Sequence, residues 1–350
     1  MLLKCTVCGL AYPNEFRLKC NCGEPLIIEN EFDRSFEDIL NLNRSDIRRY
    51  SNFLPIDDQY LPDLVPPLTP TVEKKIEGVE VVFKLEYLMP SGSFKDRGTY
   101  VSVAKWKEEG IKDVSLDSSG NAAISLCLYC KSEGMYTNIF IPDDIGEGKK
   151  RIVEMLASEV YEISGTRMEV HERALGFGDA NYVSHWYNPF FLEGTKISAY
   201  EVGKDYEIDR VLVPTGSGTL FLGMHKGFSE LSSFGVVDKI PKMTAVEAKG
   251  YESLGETSEK KSELSSGVEI IEPPRTDQMR EVLEKTGGFS ISVDDERIQR
   301  AKEELLSMGF LVETTSAMAY AAFLDLLEKG EFDEGEKVLI PLTGSGLKSL

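Results

Sequence analysis

The chain has 350 residues, 41% of them hydrophobic and 28% charged, the composition of a folded globular protein long enough for more than one core. With 39 basic against 59 acidic residues the formal net charge is −20, which argues against nonspecific binding to nucleic acid. No apolar run reaches membrane-span length, and Met1-Leu2-Leu3-Lys4-Cys5 leads straight into a cysteine motif, so neither a transmembrane helix nor a signal peptide is expected and the chain reads as cytoplasmic.

Four of the six cysteines open the chain, as Cys5-x2-Cys8 and Cys20-Asn21-Cys22, with Gly9 and Gly23 following each pair. Two thiolate pairs on facing turns can complete a tetrahedral zinc site. The one-residue spacer of the second pair is shorter than usual, and a leader of free thiols has the same sequence. A disulfide is not expected in a cytoplasmic chain.

From residue 79 onward short apolar runs alternate with helical spacing. Strands are predicted at Val79–Leu85, Asp113–Asp117, Asn138–Pro142, Glu159–Ile163, Arg210–Pro214, Met243–Glu247, Phe289–Val293 and Lys337–Leu342. This alternation predicts parallel sheets wrapped by helices, with ligands at the C-terminal ends of strands. Residues 251–275 are polar and aperiodic and read as a long loop.

Four turns stand out along this frame. Ser91-Gly92-Ser93-Phe94-Lys95-Asp96-Arg97-Gly98 puts a lysine where a helix opens, at the positive end of its dipole. That place favours the neutral, nucleophilic amine; a surface lysine at a helix start would read the same way. Asp117-Ser118-Ser119-Gly120-Asn121 follows a strand and opens a helix, as an anion site or a plain N-cap would. Val213-Pro214-Thr215-Gly216-Ser217-Gly218-Thr219 is a strand, a glycine turn and a helix start, suited to a phosphate. Its next glycine is Gly223 and no Lys-Ser or Lys-Thr closes it, so it fits neither a dinucleotide fingerprint nor a Walker loop. Thr343-Gly344-Ser345-Gly346-Leu347-Lys348 follows the last strand. Lys149, Lys150 and Arg151 open a further helix, either as an anion site or as a solvated basic face. Cys127 and Cys130 lie inside a helical pattern and read as small buried residues. His171, His185 and His225 are far apart and suggest no hydrolase triad.

The segment around Lys95 resembles the Schiff-base segment of fold-type II pyridoxal-phosphate enzymes. The order of lysine, asparagine loop, glycine loop and C-terminal threonine is the order of that family, and Thr343 to Lys348 resembles the Thr-Gly-x-Gly-Leu-Lys of threonine synthases and threonine synthase-like enzymes. The resemblance runs from about Pro66 onward, and several threonine synthase-like proteins carry a similar cysteine leader. It implies an α/β fold of the fold-type II, tryptophan synthase β-like kind: two doubly wound α/β lobes behind a zinc-ribbon-like leader. The leader would be 1–30, the large pyridoxal-phosphate domain 31–90 with 190–350, and the small domain with the asparagine loop 91–189. Lys95 would carry the cofactor and act as base. Asn121 would reach its 3′-oxygen, Gly216, Ser217, Gly218 and Thr219 its phosphate, and Thr343 its ring nitrogen. Ser118, Ser119 and Asn121 would receive the substrate carboxylate.

The implied activity is that of a lyase or synthase on a small amino acid, threonine synthase first; serine or threonine dehydration, or β-replacement on an activated serine, is the alternative. A non-catalytic nucleotide-binding α/β protein is the reading from another class. A homodimer without nucleic-acid or membrane partners is expected, with zinc in the leader. One departure bears on the substrate: threonine synthases place a phosphate-binding arginine just after Asn-Pro-x, where this chain has Phe191. Lys149 could compensate.

Overall fold

The computed structural model describes residues 1–118, 120–143, 146–165, 167–265, 267–270 and 272–349. They form two compact units, one of residues 1–67, 95–194 and 348–350, the other of residues 68–94 and 195–347. Elements below are numbered in chain order.

The first unit opens with a small antiparallel sheet of β1 (Leu2–Cys5), β2 (Ala11–Tyr12) and β3 (Leu26–Glu29), with β1 in the middle. Residues 31–67, expected with the larger lobe, belong to this unit. They hold the short helix α1 (Phe36–Ile39) and a 3-10 segment, Ile47–Phe53. Local contacts fix them there: the Phe36 and Phe53 rings meet at 4.9 Å, tilted by 40°, and the Asp63 amide donates to Glu133 at 2.8 Å. The unit's main sheet is parallel, in the order β8 (Glu159–Ile163), β7 (Tyr136–Pro142), β6 (Asp113–Asp117), β9 (Asn181–Tyr182). Around it run α2 (Lys95–Glu108), α3 (Asn121–Ser132), α4 (Glu147–Leu156), α5 (Arg167–Leu175) and α6 (Pro189–Thr195).

The second unit is built on six strands in the order β12 (Phe289–Val293), β11 (Lys242–Ala248), β10 (Arg210–Pro214), β13 (Lys337–Pro341), β5 (Val79–Lys84), β4 (Thr71–Ile76). All pairs are parallel except the last, where β4 and β5 form a hairpin. The central strand β10 is buried at every position, as a parallel strand covered on both faces must be. Val79, Val81 and Phe83 of β5 alternate into one core with Val338 and Ile340 of β13, closed by Ile298 and Leu305 of α10 (Asp295–Ser307) and Met318 and Phe323 of α11 (Thr314–Glu328). The remaining helices are α7 (Ile197–Gly203), α8 (Thr219–Ser233) and α9 (Thr276–Thr286). The described part of 251–275 carries neither helix nor strand; Glu247, buried at the end of β11, anchors it through the Ser253 amide and hydroxyl at 2.7 and 2.8 Å. No helix among the described residues is long and apolar enough to cross a membrane.

Candidate active site

Lys95 is the first residue of α2, a helix buried at every position from Asp96 to Trp106. The peptide leading to it is fixed within the second unit. Ser93 bridges Gly344, the Phe94 amide donates to the Thr343 carbonyl at 3.0 Å, and the Ser345 amide to Gly92 at 2.9 Å. The C-terminal turn thus positions the chain immediately before Lys95. Within the first unit, α6 lies against the first turn of α2 at backbone distance. A Cβ on Gly194 would collide with the Arg97 carbonyl, and one on Gly98 with the ring of Phe191. Only hydrogen atoms at these two positions allow the approach. It sets the Phe191 ring 5.8 Å from Lys95 Nζ, an apolar wall beside the amine. Asn188 caps this helix by accepting from the Phe190 amide at 3.0 Å, and it donates to Ser102 at 2.9 Å.

The turn after β6 opens α3. Gly120 is the N-cap and its amide reaches Ser118 Oγ at 3.4 Å; Asn121 is the first helical residue. Ser119 lies outside the described residues. Asn121 Oδ1 accepts from Lys348 Nζ at 2.6 Å, a contact that ties the last residues of the chain to this turn. On the other side, Asp117 ends β6 under a polar cluster. His171 Nδ1 stands 3.0 Å from its carboxylate and the Tyr182 hydroxyl donates to it at 2.5 Å. Sequence reading set His171 aside as isolated; an acid at a strand end beside a site turn is the one signal that could have marked the pair. Lys149 sits half-buried on the first turn of α4, next to Lys150, which pairs with Glu162 at 2.7 Å.

In the second unit the turn between β10 and α8 is made of main chain. Gly218 is the N-cap in the left-handed region, φ 77°, and a Cβ there would strike Met279, so glycine is required twice over. Thr215 is held by the Val246 carbonyl at 2.7 Å, and the Ser217 and Thr219 hydroxyls lie 3.2 Å apart. From Gly216 to Phe221 every residue is buried, yet none of their amides has an acceptor among the described residues. Buried N–H groups at a helix start without partners are the donor set an anion satisfies. Thr343 is buried after β13, its hydroxyl 3.1 Å from Ser316 Oγ, which also takes the Gly344 amide at 2.8 Å.

The four leader cysteines converge. Their sulfurs all lie within 4.8 Å of one another, with Cys5–Cys22 at 3.6 Å, Cys8–Cys20 at 3.5 Å and Cys8–Cys22 at 3.7 Å. A tetrahedron with metal–sulfur bonds of about 2.3 Å has sulfur–sulfur edges of about 3.8 Å, so the cluster has the size of a four-thiolate metal site. The one-residue spacer does not prevent it. Cys127 and Cys130 are buried in α3, and burial pushes the Cys127 thiol up to about 12.

The first unit thus offers a lysine at a helix start, and the second a buried turn of amides at a helix start, each on a parallel α/β frame. The chain belongs to the pyridoxal-phosphate-dependent enzyme family, whose pattern matches residues 66–344. Threonine synthase of Methanocaldococcus jannaschii is 30% identical over 99% of this chain and 93% of its own length. That of Methanosarcina acetivorans is 27% identical over 99% and 92%. Among solved structures, maize serine racemase superposes with a TM-score of 0.69 at 22% identity, covering 80% of this chain and 89% of that one. The fold is therefore that of the fold-type II pyridoxal-phosphate enzymes, and the chain is a threonine synthase-like member. The buried amides from Gly216 to Phe221, at a helix start, are donors of the kind a cofactor phosphate requires.

Proposed function

We propose that the protein is a threonine synthase, converting O-phosphohomoserine and water to threonine and phosphate. The observation that carries this reading is the end-to-end likeness to two threonine synthases, over 99% of the chain in each case. Pyridoxal phosphate, when bound, supplies the electron sink that makes a substrate Cα–H acidic. The protein's part falls to a few groups. The amides and hydroxyls of Gly216, Ser217, Gly218 and Thr219 hold the cofactor phosphate. Lys95 would hold the cofactor covalently and would take the substrate Cα proton. It stands at the helix start, with its amine 5.8 Å from the Phe191 ring. Thr343 gives a hydroxyl, not a carboxylate, to the ring nitrogen, with Ser316 fixing its direction. Ser118 and Asn121 receive the substrate carboxylate at the start of α3, and Lys149 the substrate phosphate. The cysteine cluster holds structural zinc.

A second reading rests on Phe191. An aromatic ring cannot neutralise a phosphate, and its position beside Lys95 favours an uncharged leaving group, as in dehydration of serine or threonine. Purified protein supplied with cofactor decides between them. Phosphate released in step with threonine from O-phosphohomoserine supports the synthase. Pyruvate or 2-oxobutyrate from serine or threonine, with no phosphate release, establishes the second reading.

A further inference from the structure

The contact between Lys348 and Asn121 has the wrong sign for helix stability. Asn121 is the first residue of α3, and a cation 2.6 Å from its side chain faces the positive end of the helix dipole. The same placement has the right sign for an anion bound at that helix start. The hydrogen-bond chemistry points the same way. An asparagine amide has two ends of similar shape and opposite polarity, a carbonyl that accepts and an NH2 that donates. An ammonium only donates, so Lys348 selects the carbonyl end and turns Nδ2 away from itself. Lys348 lies in the 3-10 turn Gly346–Ser349. Residues 348–350 belong to the first unit together with Asn121.

We propose that Lys348 is a positioning residue for the cofactor: it locks the Asn121 amide so that Nδ2 donates to the anionic 3′-oxygen of pyridoxal phosphate, and it adds positive charge to that end of α3. This rests on the assignment of Asn121 to that oxygen, and the test separates the two. The apo protein is titrated with pyridoxal phosphate and binding is read from the visible absorption of the bound cofactor, without substrate. Asn121→Ala is expected to raise the cofactor Kd about 10-fold, roughly 1.4 kcal/mol. Lys348→Met should raise it by a similar factor, Lys348→Arg by no more than about 3-fold, and the Asn121→Ala/Lys348→Met double variant no more than Asn121→Ala alone. Asn121→Asp keeps an ion pair with Lys348 but offers no donor, and should bind the cofactor at least as weakly as Asn121→Ala. Apo-protein thermal unfolding should not be lowered in Lys348→Met, as it would be for a merely structural lysine. If Asn121→Ala binds as wild type, the assignment of Asn121 is wrong. If Asn121→Ala weakens binding and Lys348→Met does not, or if their effects multiply, the role of Lys348 is refuted. An effect of Lys348→Met confined to substrate KM also overturns it.

Discussion

The two units present polar chemistry in opposite ways. The first presents side chains from helix starts, Lys95 on α2 and Asn121 on α3, each steered by a neighbour. The second presents main-chain amides from the turn between β10 and α8, shaped by a left-handed glycine. A side-chain group can be removed by one substitution with the backbone left in place. A row of amides can be removed only by moving the chain. Loss of Lys95 in the first unit should therefore appear in chemistry, and loss of the amide turn in the second in affinity.

The largest expected effect tests the first half of that contrast. Lys95→Ala should lower turnover at least ~10³-fold, since it deletes both the covalent attachment and the base, and borohydride should no longer fix the cofactor to the chain. A reducible adduct on another lysine would contradict the assignment. Gly218→Ala tests the second half. A Cβ at φ 77° that also meets Met279 must displace the amide turn, and cofactor Kd should rise about 100-fold by titration, while turnover at saturating cofactor falls much less. Equal losses in both quantities would break the distinction between the units.

Two smaller effects sharpen it. Cys5→Ser should release one zinc per chain by metal analysis, yet leave the cofactor Kd within about 2-fold, because the four cysteines belong to a leader with a small sheet of its own. Wild-type protein without zinc would end the metal assignment. The smallest effect concerns acid. His225 lies on α8, and burial holds its imidazole down at about 4 against 6.5 when exposed. Between these values the unfolded chain binds more protons than the folded one, so falling pH favours unfolding. This contribution is complete above pH 6.5 and is lost as pH falls through 4. Wild type should lose about 2 kcal/mol more than His225→Gln between pH 7 and pH 4, read from denaturant unfolding.

Local sequence carried the strands well. Asp113–Asp117, Glu159–Ile163, Arg210–Pro214 and Phe289–Val293 stand where apolar runs bounded by turns predict them. The strand Thr71–Ile76 was not legible, because Glu73, Lys74 and Lys75 give an exposed edge with no apolar alternation. The turns around Lys95, Gly216–Thr219 and Thr343 were legible because glycine, hydroxyl and lysine types are unusual together at strand ends. What stayed hidden was pairing over long sequence distance. Nothing local to His171 shows that it meets Asp117, and nothing local to Lys348 shows that it grips Asn121. Nor does the chain between residues 31 and 67 announce which unit it joins; that is decided by contacts such as Asp63 with Glu133.

The close seat of α6 on α2 has a consequence for how this enzyme can change over generations. The Phe191 ring occupies the space that a methyl group at residue 98 would need. An alanine at 98 is harmful while the ring is present and can be accepted once residue 191 is smaller; a smaller residue at 191 leaves a void until 98 gains its methyl group. The two positions are epistatic, and each blocks a single-step path open to the other. A lineage exchanging the aromatic wall beside Lys95 for a different group must pass through a poorly packed intermediate or change both residues together, so selection acts on the pair as one character.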